Sequence, residues 1–243
     1  MIVLIITAVR VKSMDSHRIS GRILAENIAG PGMMRLVEQS MQAQAQKTSV
    51  TEIAVKEWKH PQAALTFDDG PDIRYTPLLL DGLKERNVRA SFFLLGEKVE
   101  QYPELVERMQ KEGHLVGNHT YHHVQLNKLN ETKAREEILK TNNLIYETTG
   151  VYPLYLRPPF GAWKKNLELC VEMLPVFWTI DTLDWKVQNT EKIVRTVQEQ
   201  IEDGAIILMH DEYDTSVEAA LQVADDLKAQ GYQLVTVDQL ILP

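Results

Sequence analysis

A chain of 243 residues with 44% hydrophobic and 25% charged residues has the composition of a soluble globular protein, which excludes a disordered or fibrous chain. A formal charge of -8 without a dense basic run excludes a generic nucleic-acid binder, because affinity for a phosphate backbone comes mainly from clustered Lys and Arg. The lone cysteine, Cys170, leaves no internal disulfide and no cysteine-based zinc cluster, so metal ligands must come from histidines and carboxylates.

The chain begins MIVLIITAV, apolar except for Thr7 but shorter than the ~20 residues that span a bilayer. It reads as the remnant of a signal peptide or membrane anchor, or else as an N-terminal strand, since no positive segment precedes it and no small-residue cleavage site follows. From 10 to 59 the pattern is irregular, with a Gly-Pro-Gly break at Gly30 to Gly32 and a Gln/Ala-rich stretch at 39–46 that suits a solvated helix. Residues 1–61 are therefore assigned as a leader, with N-terminal membrane association as one reading of its apolar start.

Residues 62–243 form one domain in which short apolar runs alternate with amphipathic segments, the signature of βα units around a mostly parallel sheet. Strands are predicted at 63–67, 91–95, 114–117, 154–157, 174–179, 205–209 and 233–237. A helix is predicted at 190–202, with Thr190 as N-cap and Gly204 just beyond its end. Another is predicted at 215–230, where Val217, Ala220, Leu221, Ala224 and Leu227 share a face and Gly231 caps the end. About seven such units in ~180 residues predict a distorted, TIM-barrel-like (β/α) barrel, smaller than the ~250-residue eightfold form.

The chemistry-bearing side chains fall where these strands end. Asp68 and Asp69 follow the first strand, His119 and His123 the third, Arg157 ends the fourth, Asp181 follows the fifth and His210 ends the sixth. In a parallel barrel those ends share one face, where barrel active sites are built. Asp-Asp-Gly-Pro on its own is a good turn. Beside the histidines, its two carboxylates can divide the tasks of binding a metal and moving a proton. His119 and His123, four residues apart, can face one centre with Asp69, although spacing alone leaves His122 as an alternative to His123. Such N and O ligands suit Zn²⁺, with Co²⁺, Ni²⁺ or Mn²⁺ compatible because no sulfur biases the choice. His210 is placed to donate a proton, with Asp181 expected to orient it and raise its pKa. Arg157 cannot lose its charge and is expected to pin Asp68.

In order, residues 66–71, 119–123, 157–160, 181–185 and 208–210 resemble the five motifs of the polysaccharide deacetylases, carbohydrate esterase family 4 or NodB-homology domain. The resemblance covers about 62–242. It implies a hydrolase of linear amide C–N bonds that removes N-acetyl groups from GlcNAc or MurNAc units of peptidoglycan or chitin oligosaccharides. It assigns Asp68 as general base, Asp69, His119 and His123 as metal ligands, and His210 as general acid. By the same resemblance Arg157 orients Asp68, Asp181 tunes His210, Trp185 and Leu208 line the acetyl pocket, and the Phe160 N–H helps hold the oxyanion. Tyr75, Trp163 and Trp185 are candidate sugar-stacking aromatics. The alternatives are an O-acetyl esterase on xylan-type chains and a catalytically silent glycan-binding domain. An extracytoplasmic monomer is expected.

Overall fold

The computed structural model describes residues 60–163 and 173–241. The leader assigned to 1–61 falls, but for its last two residues, outside the described residues, and so does Cys170. No helix among the described residues is long and apolar enough to cross a membrane.

At the centre lies β1, Gln62–Asp68, whose seven residues are all buried. It is buried on both faces, so its sequence runs almost continuously apolar rather than alternating. β2, Ser91–Leu94, pairs with it on one side and β7, Ala205–His210, on the other. β3, Leu115–Asn118, and β4, Tyr155–Leu156, extend the sheet beyond β2. β5, Leu174–Pro175, and β6, Ile180–Asp181, occupy its two edges, and β8, Gln233–Leu234, adds to the start of β1. Every pairing is parallel, and the sheet curls into a partial barrel, as the alternation of strands and helices predicts.

The expected strand 174–179 is instead two short strands on opposite edges. Leu174 and Val176 donate to β4, the last bond being Val176 N–H to Leu156 O, while Pro175 between them has no N–H to offer a strand on its other side, which suits an edge. Thr179 N–H then reaches Ile206 O, and the chain joins β7. The segment thus bridges the gap in the barrel without a ladder joining β5 to β6.

Eight helices are described: α1 Tyr75–Glu85, α2 Gly96–Gln101, α3 Pro103–Lys111, α4 Glu131–Thr149, α5 Asp184–Val187, α6 Thr190–Gln200, α7 Asp214–Ala229 and α8 Val237–Ile241. α7 starts one residue before its prediction and buries Val217, Ala220, Ala224 and Leu227 as the spacing requires, while Leu221 is partly buried against the same core. The N-cap of α6 is Asn189, whose Oδ1 accepts from Lys192 N–H at 2.9 Å, and not Thr190. Both residue types cap well; here the Thr190 hydroxyl is taken by Glu218. α4 is capped by Asn130 at its start and by left-handed Gly150 at its end.

One buried histidine makes this scaffold acid-sensitive. His114 precedes β3, is 4% exposed, and accepts the Ala90 N–H at Nδ1 over 3.0 Å, a role open to a neutral ring. Burial pushes its pKa down to about 4 against the opposing pull of Glu112. Between about pH 6.5 and 4 the unfolded chain therefore binds a proton that the fold refuses, so stability is complete above that window and falls as pH falls through it. Urea unfolding at pH 7.5 and pH 5 is expected to differ by about 2 kcal/mol from this group, and His114→Gln should remove that component. An unchanged difference in the variant would rule out His114 as the source.

Candidate active site

The parallel register brings the strand ends together, with Asp68 of β1 opposite His210 of β7. They open into a cleft of about 460 Å³ lined by Asp68, Asp69, His119, His123 and His210, with Trp178 and Trp185 on its walls.

Asp68 is nearly buried and turns toward Arg157, whose Nη1 donates to Asp68 Oδ1 at 2.8 Å and to Thr66 Oγ1 at 2.7 Å. The guanidinium is fully buried, 4.2 Å from the Phe93 ring centroid, and burial lowers its pKa against the support of Asp68. The same residue's carbonyl lies 2.7 Å from His119 Nδ1. A carbonyl only accepts, so Nδ1 carries the hydrogen and Nε2 presents its lone pair to the cleft.

Asp69 takes a left-handed backbone, φ 69°, and its Oδ1 stands 3.3 Å from His119 Nε2 and 3.4 Å from His123 Nε2. Ligand atoms from these three residues all lie within 4.8 Å of one another. Asp69 Oδ1 is buried without a hydrogen-bond partner, an arrangement that calls for a cation. Burial raises the Asp69 pKa, but His119, then His123 and His210, outweigh it and hold the group well below the usual carboxylate range. Burial pushes His123 down, toward the neutral form a metal requires. Two nitrogens and one oxygen therefore fit a divalent cation with positions left open. His122, the alternative left by spacing, points instead to an exposed contact with Glu137.

His210 is held by Asp184 and not by Asp181. Asp184 Oδ1 lies 2.7 Å from His210 Nδ1, and Oδ2 accepts from His210 N–H at 2.8 Å and from Ser216 Oγ at 2.7 Å. Burial lowers the His210 pKa, but Asp184 more than reverses this and raises it to about 9. Asp181 lines the cleft and accepts the Leu183 N–H. The chain turns through Leu183, φ 52°, and the next residue starts α5, which brings Asp184 back against β7. Sequence reasoning stopped at the residue ending the strand, although Asp184 stands in the same short motif, directly before Trp185.

Leu208 and Trp185 line the cleft with Phe160, which is 61% exposed, left-handed at φ 60°, and tilted against the His123 ring with centroids 4.5 Å apart. Tyr75 and Trp163 do not reach it; the first packs on the main core and the second on the cluster of Leu126, Ala134, Ile138 and Leu156. Trp178, Glu212 and Tyr213 line it without having been singled out, since a lone aromatic or acid beside a strand gives no sequence signal.

Residues 56–176 match the family model described as polysaccharide deacetylase. The peptidoglycan-N-acetylglucosamine deacetylase PgdA of Listeria monocytogenes is 43% identical over 177 residues, covering 73% of this chain and 38% of the relative, so the chain spans well under half of that protein. A peptidoglycan-N-acetylglucosamine deacetylase of Bacillus cereus is 40% identical over 186 residues, covering 74% and 68%. The solved structure of the peptidoglycan deacetylase PdaC from Bacillus subtilis superposes with a TM-score of 0.73 at 43% identity, covering 75% of this chain and 90% of that one. With a relative matched over two thirds of its length and the site built from the quoted motifs, this chain belongs to the polysaccharide deacetylase family.

Proposed function

We propose that this chain is a metal-dependent N-deacetylase that releases acetate from N-acetylated amino sugars of peptidoglycan, acting outside the cytoplasm. The observation that carries the reading is the buried, unpartnered Asp69 Oδ1 facing two imidazole nitrogens, with a second carboxylate and a carboxylate-held histidine on either side. The substrate class is supported by what the Listeria and Bacillus relatives are named for.

Asp69, His119 and His123 hold the cation, for which Zn²⁺ is the best fit to a borderline N/O donor set. When bound, it supplies Lewis acidity toward an acyl carbonyl and makes water more acidic. Asp68, with Oδ1 occupied by Arg157, accepts the proton of the attacking water at Oδ2. The Phe160 N–H donates to the developing oxyanion. His210 carries a proton at Nε2, its Nδ1–H donated to Asp184, and passes it to the sugar nitrogen, a poor leaving group until protonated. Acetate and a free amino sugar result. Trp185 and Leu208 bound the space for the acetyl methyl.

Acetate release from wall fragments or N-acetylglucosamine oligomers is expected to stop on chelation and return with Zn²⁺, and Asp68→Asn should lose about 10²–10⁴-fold in kcat with metal retained. Full activity in the chelated protein would overturn the reading.

The two acids near His210 give a second test. Asp184→Asn is expected to cost about 10²-fold or more in kcat on amides, because His210 loses the partner that keeps it protonated, whereas Asp181→Asn should stay within about threefold in kcat. The opposite ranking would return the orienting role to Asp181.

A further inference from the structure

The two imidazoles of the site are not supported equally. His119 is buried and fixed through Nδ1 by the Arg157 carbonyl. His123 is half-buried; its ring faces Asp69 and lies against the rings of His119 and Phe160, and among the described residues no hydrogen bond fixes its Nδ1 as the Arg157 carbonyl fixes that of His119. Its placement therefore depends on the backbone of 120–123, which is left-handed at Thr120, φ 68°, and again at His123, φ 55°. Such residues stay put only when their surroundings over-determine them.

The surroundings here are two helices. The first N–H groups of α2 hold the loop's carbonyls: Gly96 N–H donates to Thr120 O at 3.0 Å and Glu97 N–H to Tyr121 O at 3.3 Å. Gly96 is required there, because a Cβ would stand 2.4 Å from the Tyr121 ring. On the other side α4 contributes Glu137. Its Oε2 accepts from Tyr121 N–H at 3.0 Å and from His122 N–H at 2.8 Å, and its Oε1 lies 2.8 Å from His122 Nδ1. The carboxylate is 16% exposed, so these are charge-assisted bonds in a largely desolvated setting. The Tyr121 hydroxyl donates to Glu100, and Lys140 Nζ sits 3.4 Å above its ring. A surface partner for His122 would explain Oε1 alone; it leaves unexplained why the other oxygen takes both backbone N–H groups between the two ligands.

We propose that Glu137 is a positioning residue of the metal site: its carboxylate clamps the peptide units at Tyr121 and His122 and so sets where His123 presents Nε2. The inference rests on the metal-site reading above. It makes the cation's affinity depend on a side chain that never touches it, as is usual for groups that hold ligands in place.

The test is Zn²⁺ affinity of the full chain, measured in competition with a chromophoric chelator, alongside the melting temperature of the metal-free protein. Wild type is expected to take up Zn²⁺, and Glu137→Ala to bind about 10- to 100-fold more weakly. Glu137→Gln, which keeps one acceptor oxygen, should lie between them at about three- to tenfold. His122→Ala, which spares the backbone clamp, should stay within about twofold of wild type. Co²⁺ in Glu137→Gln should also show an altered visible spectrum, a change that a purely structural role would not produce. If Glu137→Ala melts lower but keeps wild-type affinity, or if Glu137→Gln stays within about twofold where the alanine variant does not fold, the clamp is refuted. Wild type that takes up no Zn²⁺ would refute the metal site itself.

Discussion

Arg157 ties the cleft together from a position that no solvent reaches. Its backbone N–H continues the ladder to Asn118 O, its carbonyl meets His119, and its guanidinium reaches across to Thr66 and Asp68 of the central strand. Asp68, His119 and the sheet are thus fixed by one residue. The cost is a desolvated charge, of which Nε and Nη2 have no hydrogen-bond partner. Asp68 and the faces of Phe93 and Trp178 offset part of it. Stability alone would favour an apolar residue here. The arrangement makes sense as geometry: a forked, always-charged group holds one carboxylate oxygen and leaves the other facing the cleft.

Around this fixed point the backbone is under local strain. Among the described residues seven non-glycine positions have positive φ, and Asp69, Thr120, His123, Phe160 and Leu183 belong to the loops that carry the site. Each costs on the order of 1 kcal/mol or more, which the flanking elements must supply. They do so with named bonds: Asn118 Oδ1 accepts the Thr120 N–H, the Asp181 carboxylate accepts the Leu183 N–H, and α2 and α4 hold the loop after β3 from both sides. Asn118 is itself locked by Ile138 O and Asn142 of α4. α4 thereby serves the site without lining it.

Much of this was legible in the sequence where a single periodicity governs. β1 and β7 are largely buried and read as nearly continuous apolar runs, and α7 shows its buried stripe at three- and four-residue spacing. Strand ends then located Asp68, Asp69, His119, His123, Arg157 and His210 around one cleft, because parallel strands share a carboxyl end. What escaped depended on irregular backbone. The split of 174–181 across the barrel gap follows from which neighbour has a free edge, a tertiary fact. Asp184 reaches His210 only because Leu183 is left-handed, and leucine gives no hint of that conformation. The supporting carboxylate of Glu137 lies on a helix surface that reads as ordinary solvated polarity.

The adjacent acids show how far pattern reasoning carries and where geometry must finish it. Alternation along a strand predicts that Asp68 and Asp69 point to opposite faces, which would send the second one away from the cleft and into the helical layer. Both line the cleft. The resolution is the backbone of Asp69: at φ 69° the strand has ended, the alternation is reversed, and the second carboxylate swings back beside the first while facing the imidazoles and not the arginine. Aspartate is among the few side chains that tolerate this conformation, and it also carries a hard oxygen ligand. The position thus has two independent requirements, one conformational and one chemical. Glycine would meet the first alone and glutamate the second alone. Two neighbouring carboxylates can then do different work because a single left-handed residue separates their surroundings: one against a buried guanidinium, the other against two imidazoles.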